Sequence, residues 1–161
     1  MLRQEHHLIK SQQTGEHMNR IFIALALALL STASLAKEEP PKSPTANFER
    51  AVTFNGMVCE IKAQIFFTTQ SDPSGNSKAA YSELLKCITN ARNEGVNAYK
   101  KLASSKYRSS VKNVGKKLLL SYLTYLDFMP SASSFEAIES SQSKSTFNSA
   151  LNEYQMDIDG I

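Results

Sequence analysis

Beyond residue 45 the apolar positions recur at alternating three- and four-residue steps. Ala51, Phe54, Val58, Ile61 and Ile65 form a first run. Tyr81, Leu84, Ile88, Ala91, Gly95, Ala98 and Leu102 form a second. Tyr107, Val111, Val114, Leu118, Ser121, Tyr125 and Phe128 form a third, and Phe147, Leu151, Tyr154 and Ile158 a fourth. That step is the helical repeat, and no segment sustains the two-residue alternation of a half-buried strand. Each run is expected to be the buried face of an amphipathic helix.

Polar breaks separate the runs. Pro73 sits in Ser71–Asn76 and Pro130 opens a serine-rich stretch. Proline is expelled from helix interiors and collects at turns. The serines at 104, 105, 109 and 110 flank Lys106-Tyr107-Arg108 and mark a third break. The pattern predicts helices over about 46–70, 77–103, 107–129 and 134–157. Ser133 and Glu136 have capping-box spacing at the start of the last one, and its polar stretch Glu139–Thr146 is expected to break or fray it. Short connections between such helices predict an all-α, antiparallel four-helix bundle.

The first 45 residues read differently. Ile21–Leu30 is an unbroken apolar run preceded by Met18-Asn19-Arg20 and followed by Ser31–Ala36. A positive start, a short apolar run and small residues at a cleavage site make a secretory signal, with cleavage expected after Ala36. The run is about half the ~20 apolar residues of a membrane span. Met18 is an alternative start, because Thr14–His17 can be encoded with a ribosome-binding sequence just upstream of it; residues 1–17 then stand as an untranslated or extended N-terminus. Residues 18–36 are assigned to the signal, 37–45 to a proline-rich linker that is extended as far as Pro44, and 46–161 to the helical domain. The expected location is periplasmic or secreted.

Export changes what the composition means. The 161-residue chain has a net charge of +3 and three histidines, His6, His7 and His17, all ahead of Ala36. The exported chain then has no imidazole, which removes histidine general bases and most transition-metal sites. No haem-attachment motif, phosphate loop or dinucleotide glycine pattern is present. The expectation is a non-enzymatic protein without metal or cofactor.

Weaker catalytic patterns in the chain do not change that expectation. Ser109–Lys112 and Ser141–Lys144 have the spacing in which lysine activates a serine nucleophile, but the Ser-Asp-Asn and Lys-Thr-Gly partners of that chemistry are missing. Asp157-Ile-Asp-Gly160 resembles the opening of a calcium loop without its remaining positions. Glu136 and Glu139 lie one turn apart on one helix, not across a cleft as paired hydrolytic carboxylates do. They read as acidic groups at a helix N-terminus.

Cys59 and Cys87 are the only cysteines. In an oxidising compartment they are expected to pair. They lie equidistant from Pro73, so an antiparallel hairpin turning there sets them at one height.

Two surface features point to partners. Residues 86–117 hold nine basic side chains against Glu94 alone, whereas residues 118–161 hold six acids against Lys144. Arg108, Lys112 and Lys116 form one stripe, which either neutralises the acidic last helix or binds an anionic lipid or envelope polymer. Next to it, residues 118–129 are apolar around nearly the whole helix. Such a helix is either central or exposes a sticky strip, and Leu119, Leu120, Tyr122, Leu123 and Leu126 are the expected protein-partner or homodimer contacts. The chain therefore reads as an exported binding protein of the bacterial cell envelope, of inhibitor, immunity or adaptor type. A surface-associating protein using the basic stripe is the alternative, and nucleic acid is not expected as a partner.

Overall fold

The computed structural model describes residues 43–70 and 76–160. The signal segment, its cleavage position and the turn at Pro73 lie outside them. Helix α1 spans Pro44–Gln70, α2 Ser77–Ser104, α3 Ser109–Phe128, α4 Phe135–Glu139 and α5 Gln142–Asp159. A turn of 3-10 helix, Met129–Ser131, extends α3. The short α4 and the longer α5 together make the fourth arm of an all-α, antiparallel four-helix bundle.

The helix ends follow from local side chains. Ser43 accepts the Ala46 N–H at 3.1 Å, and Pro44 follows as the first helical residue. Proline suits that position because its missing N–H would be unpaired there anyway. The helix therefore starts at Pro44, inside the stretch assigned to the linker and two residues before the expected start at 46. Asn76 caps α2 by accepting the Ala79 N–H at 3.1 Å. Ser134 caps α4 by accepting from Ala137 at 3.2 Å, one residue later than the predicted Ser133. Ser140 and Ser141 break the fourth arm, and Ser141 caps α5 by accepting the Lys144 N–H at 3.1 Å. Gly160 ends α5 with φ 76°, a left-handed conformation that costs glycine nothing.

The arms pair antiparallel around the bundle. Asn55 meets Glu94, Cys59 meets Cys87 and Phe66 meets Tyr81, so α2 runs back along α1. Arg92 of α2 pairs with Asp127 of α3, and Tyr99 donates to the Lys112 carbonyl at 3.3 Å. Tyr125 of α3 stacks on Phe147 of α5 at 5.7 Å between centroids, while Lys117 pairs with Glu153 further along. Tyr154 of α5 donates to the Thr45 carbonyl at 3.2 Å and closes the ring against α1.

The core is tyrosine-rich. Tyr122, Tyr125 and Tyr154 are its largest fully buried side chains, packed with Phe48, Leu84, Leu102, Leu118, Leu126, Met129 and Ile138. Tyr122 is inserted between two glycines. A Cβ at Gly95 would stand 3.0 Å from the ring's Cε1, and one at Gly56 would stand 3.4 Å from Cε2. Side chains there would fill the slot that lets α3 reach between α1 and α2. The Tyr122 hydroxyl has no hydrogen-bond partner among the described residues.

Three of the four predicted stripes face the core for most of their length. The second buries Leu84, Ile88, Ala91, Gly95 and Leu102, though Tyr81 at its start is exposed. The third buries Val111, Leu118, Ser121 and Tyr125, with Tyr107 exposed ahead of α3. The fourth buries Phe147 and Tyr154.

The first stripe is corrected. α1 buries Phe48, Val52, Gly56, Cys59, Ala63 and Phe66, whereas Phe54, Ile61 and Ile65 face outward. The cause is rotational. Each helical residue turns the chain by about 100°, so Ile61 lies on the far side of α1 from Cys59. Cys59 is bonded to Cys87 with the Cα atoms 5.6 Å apart. Facing Cys59 toward α2 therefore turns Phe54, Ile61 and Ile65 away.

Candidate interaction surface

On the outward side of α1, Phe54 is 51% exposed, Met57 50%, Ile61 49% and Ile65 46%. Steps of 3, 4 and 4 residues place them in one line along ~16 Å of helix. Together they expose on the order of 350 Å² of apolar surface, within the ~300–600 Å² of the largest patch on a typical monomer. Cys59 sits behind the line and is fully buried, so the disulfide ties the helix to α2 at the middle of the stripe.

The expected α3 contacts divide sharply. Tyr122 and Leu126 are fully buried and Leu119 is 8% exposed, so these three belong to the core. Leu123 is half-buried and Leu120 is 56% exposed. α2 and α5 cover both flanks of α3, leaving one outward line in which Leu120 is the only large apolar residue. The expectation of a partner face on α3 is corrected to Leu120 with a half-covered Leu123.

The basic stripe is partly engaged. Arg108 donates to the Asp157 carbonyl and stands 3.9 Å from its carboxylate. Lys117, beside the stripe, pairs with Glu153. Both contacts join α3 or its preceding residue to the acidic α5, the neutralising arrangement that charge asymmetry allowed. Lys116 is exposed and Lys112 half-buried.

The candidate catalytic patterns resolve into helix ends and a strut. The Ser141 hydroxyl accepts from the backbone of Lys144, while the Lys144 ammonium bridges Glu139 at 2.6 Å and Glu60 at 3.1 Å. Burial would lower the lysine's pKa, but hydrogen bonds to Glu139 and then Glu60 outweigh it and raise it. Tyr125 donates to the same Glu60 at 2.6 Å. Burial first, then Glu60, pushes that phenol far above its ordinary value. The cluster ties α1, α3 and the α4–α5 corner together. Glu136 is exposed, and hydrogen bonds from its own backbone and then from Ser134 hold its carboxyl below the usual value. Asp157–Asp159 are the last residues of α5, and Gly160 is its C-terminal cap.

Among the described residues no group of three or more His, Cys, Asp or Glu side chains could hold a metal ion, and no helix is long and apolar enough to cross a membrane. Comparison with known protein families, curated proteins and solved structures found no match. The functional reading therefore rests on the surface of the bundle.

Sequence reasoning missed the α1 face for an identifiable reason. An apolar stripe by itself has the spacing of a core face, and a cysteine pair by itself does not fix a helix's rotation. Combined, the two would have located the exposed face, since Cys59 and Ile61 point to opposite sides of one helix.

Proposed function

We propose that this protein is an exported, non-enzymatic helical binding protein of the bacterial cell envelope that acts through protein–protein contact, as an inhibitor, immunity-type protein or adaptor. The observation that supports this most is the outward line of Phe54, Met57, Ile61 and Ile65. Four consecutive half-exposed apolar side chains on a tethered helix are a contact surface in search of cover. The helix that carries them is crosslinked to α2, so its backbone is already ordered before a partner seats on it. The disulfide fits an oxidising compartment, as the signal sequence also suggests.

A photoreactive benzoylphenylalanine placed at Ile61 in cells tests the reading. Protein adducts are expected at that position, and far fewer when the probe replaces the exposed Lys116. Equal yields at the two positions, or none at Ile61, would remove the α1 face as a protein contact. The anionic-surface alternative is separated by salt. Binding through the apolar face survives raised salt, whereas capture by the lysine stripe declines as the charges are screened.

A further inference from the structure

We infer that the face shared by α2 and α3 is a docking surface for an anionic lipid bilayer, held by lysines and by the outward Leu120. It uses other residues than the α1 line, so it stands or falls apart from the protein-contact reading.

Charge is the first observation. Nine cations fall between residues 86 and 117. Four are paired: Lys86 with Glu83, Arg92 with Asp127, Arg108 with Asp157 and Lys117 with Glu153. Lys100, Lys101, Lys106, Lys112 and Lys116 form no ion pair among the described residues. The acids of α2 and α3 are engaged elsewhere. Glu94 accepts from Asn55 at 2.7 Å, and Asp127 holds Arg92. The acidic α5 packs against α3 and α1, across the bundle from α2.

Packing then gathers these lysines. Tyr99 donates to the Lys112 carbonyl at 3.3 Å. A Cβ at Gly115 would stand 2.8 Å from Leu102 and 3.6 Å from Tyr99. Lys100 follows Tyr99 and Lys116 follows Gly115, so the two lysines lie level on adjacent helices. Lys112 is one turn from Lys116, and Lys101 and Lys106 stand at the same end of the bundle. A stripe on one helix thus becomes a patch across two helices and their connection. With no free acid beside it, the patch carries its positive potential into solvent.

The kind of cation selects the partner. Protein interfaces are depleted in lysine and enriched in arginine and aromatic anchors. Arginine is also the cation whose planar fork matches a carboxylate. All five unpaired cations here are lysines, point charges on flexible stems. A layer of phosphate headgroups calls for charge density rather than a matched fork, and each lysine near such a layer strengthens binding about fivefold. Leu120, one turn from Lys116, is 56% exposed and supplies an apolar side chain for the acyl boundary. No helix among the described residues is long and apolar enough to cross a membrane, so the contact is peripheral.

Cosedimentation with vesicles tests the inference on the protein as its cell produces it, with the disulfide intact. Vesicles of phosphatidylglycerol and phosphatidylcholine are expected to retain it at low salt and to release it as salt is raised. Vesicles of phosphatidylcholine alone are expected not to retain it. Lys100→Gln with Lys116→Gln is expected to weaken retention about 25-fold, with unchanged helicity and melting temperature. Lys101→Gln with Lys106→Gln, an independent pair, is expected to do the same. Lys62→Gln with Lys78→Gln removes equal charge away from the patch and is expected to change retention by less than about twofold.

Equal retention by both kinds of vesicle, no retention at low salt, or equal losses in all three pairs overturns the inference. Retention lost in Ile61→Glu but kept in the Lys100 and Lys116 pair moves the lipid to α1 and overturns it too. So do protein adducts from benzoylphenylalanine at Lys116 as abundant as those at Ile61, which assign the face to a protein. Phosphatidylglycerol binding with no adducts at Ile61 supports the lipid face and removes the α1 contact, so the two readings fail separately.

Discussion

Helices α1 and α3 are both apolar around most of their circumference, yet the bundle uses them in opposite ways. α3 buries Leu118, Leu119, Tyr122, Tyr125 and Leu126 and leaves Leu120 as the large apolar residue in water. α1 buries a narrower line rich in small residues and leaves four large ones outside. The difference lies in their neighbours. α2 and α5 flank α3, and its tyrosines reach through to α1: Tyr122 into the glycine slot and Tyr125 to Glu60. α1 is bonded to α2 at Cys59 and admits Tyr122 of α3 at Gly56, so its buried line of small residues covers only one side. Hydrophobicity alone thus does not say which face of a helix is buried. The small residues and the crosslink do.

The strongest way to break this comparison is to truncate matching residues on the two helices. Tyr122→Ala removes the ring held between Gly56 and Gly95 and is expected to destabilise by ~3–5 kcal/mol in urea unfolding. Phe54→Ala removes a comparable volume from α1 and is expected to change the stability of the single chain by less than ~1 kcal/mol. Similar losses at both positions would mean that the α1 stripe is core after all.

Replacing both Cys59 and Cys87 with alanine tests what holds α1 in its rotation. The expected loss is ~3–4 kcal/mol, the stabilisation of closing a loop of this length. Hydrogen exchange should accelerate most between Gly56 and Ala63, and least in α3. Uniform acceleration over the bundle would show that packing, not the crosslink, sets the rotation.

Alkaline pH separates the helices in another way. Burial is the main cause that raises the pKa of Tyr122, Tyr125 and Tyr154; Glu94, Glu60 and Glu49 respectively add to it. All three lie on α3 or α5 and none on α1. A raised folded pKa means stability that is complete below the unfolded value of ~10 and is lost as pH rises above it. Each phenol held protonated by the fold is expected to remove about 1.4 kcal/mol per pH unit in that range. Phenolate absorbance should therefore rise together with the loss of helicity. Ionisation of all the phenols well before unfolding would contradict the burial of the α3 tyrosines.

The smallest effects are expected at the charged surface. Half-buried Lys112→Ala and exposed Lys116→Ala should each leave stability within ~0.5 kcal/mol, as substitutions of surface charges usually do. Arg108→Ala should weaken the pairing to Asp157 without unfolding the bundle. A larger cost at Lys112 or Lys116 than at Arg108 would show that the stripe does more for the fold than its pairings indicate.

Much of this architecture was readable from residue order. The four arms, their boundaries within one or two residues, the break at the serines of the fourth arm and the Cys59–Cys87 pairing all follow from periodicity, breakers and register. These are local properties. A proline or a capping serine acts through the few residues beside it, and the cysteine pairing follows from the register of one hairpin. The exposed apolar face of α1 was not readable in the same way. The 118–129 run announced itself by composition alone, and Leu119, Tyr122 and Leu126 were spent on the core. The α1 line looked like an ordinary core stripe.

The sequence by itself determined that the chain is helical, where each helix starts and stops, and which two cysteines meet. Tertiary structure alone decided how each helix is rotated about its own axis. Rotation depends on neighbours distant in the chain: Gly56 and Gly95 admitting Tyr122, and Cys87 holding Cys59 inward. A helix with two apolar stripes can bury either one, and pattern gives both equal weight. Once the close approach of α2 and the disulfide select the line through Cys59, helical geometry leaves Phe54, Met57, Ile61 and Ile65 in water.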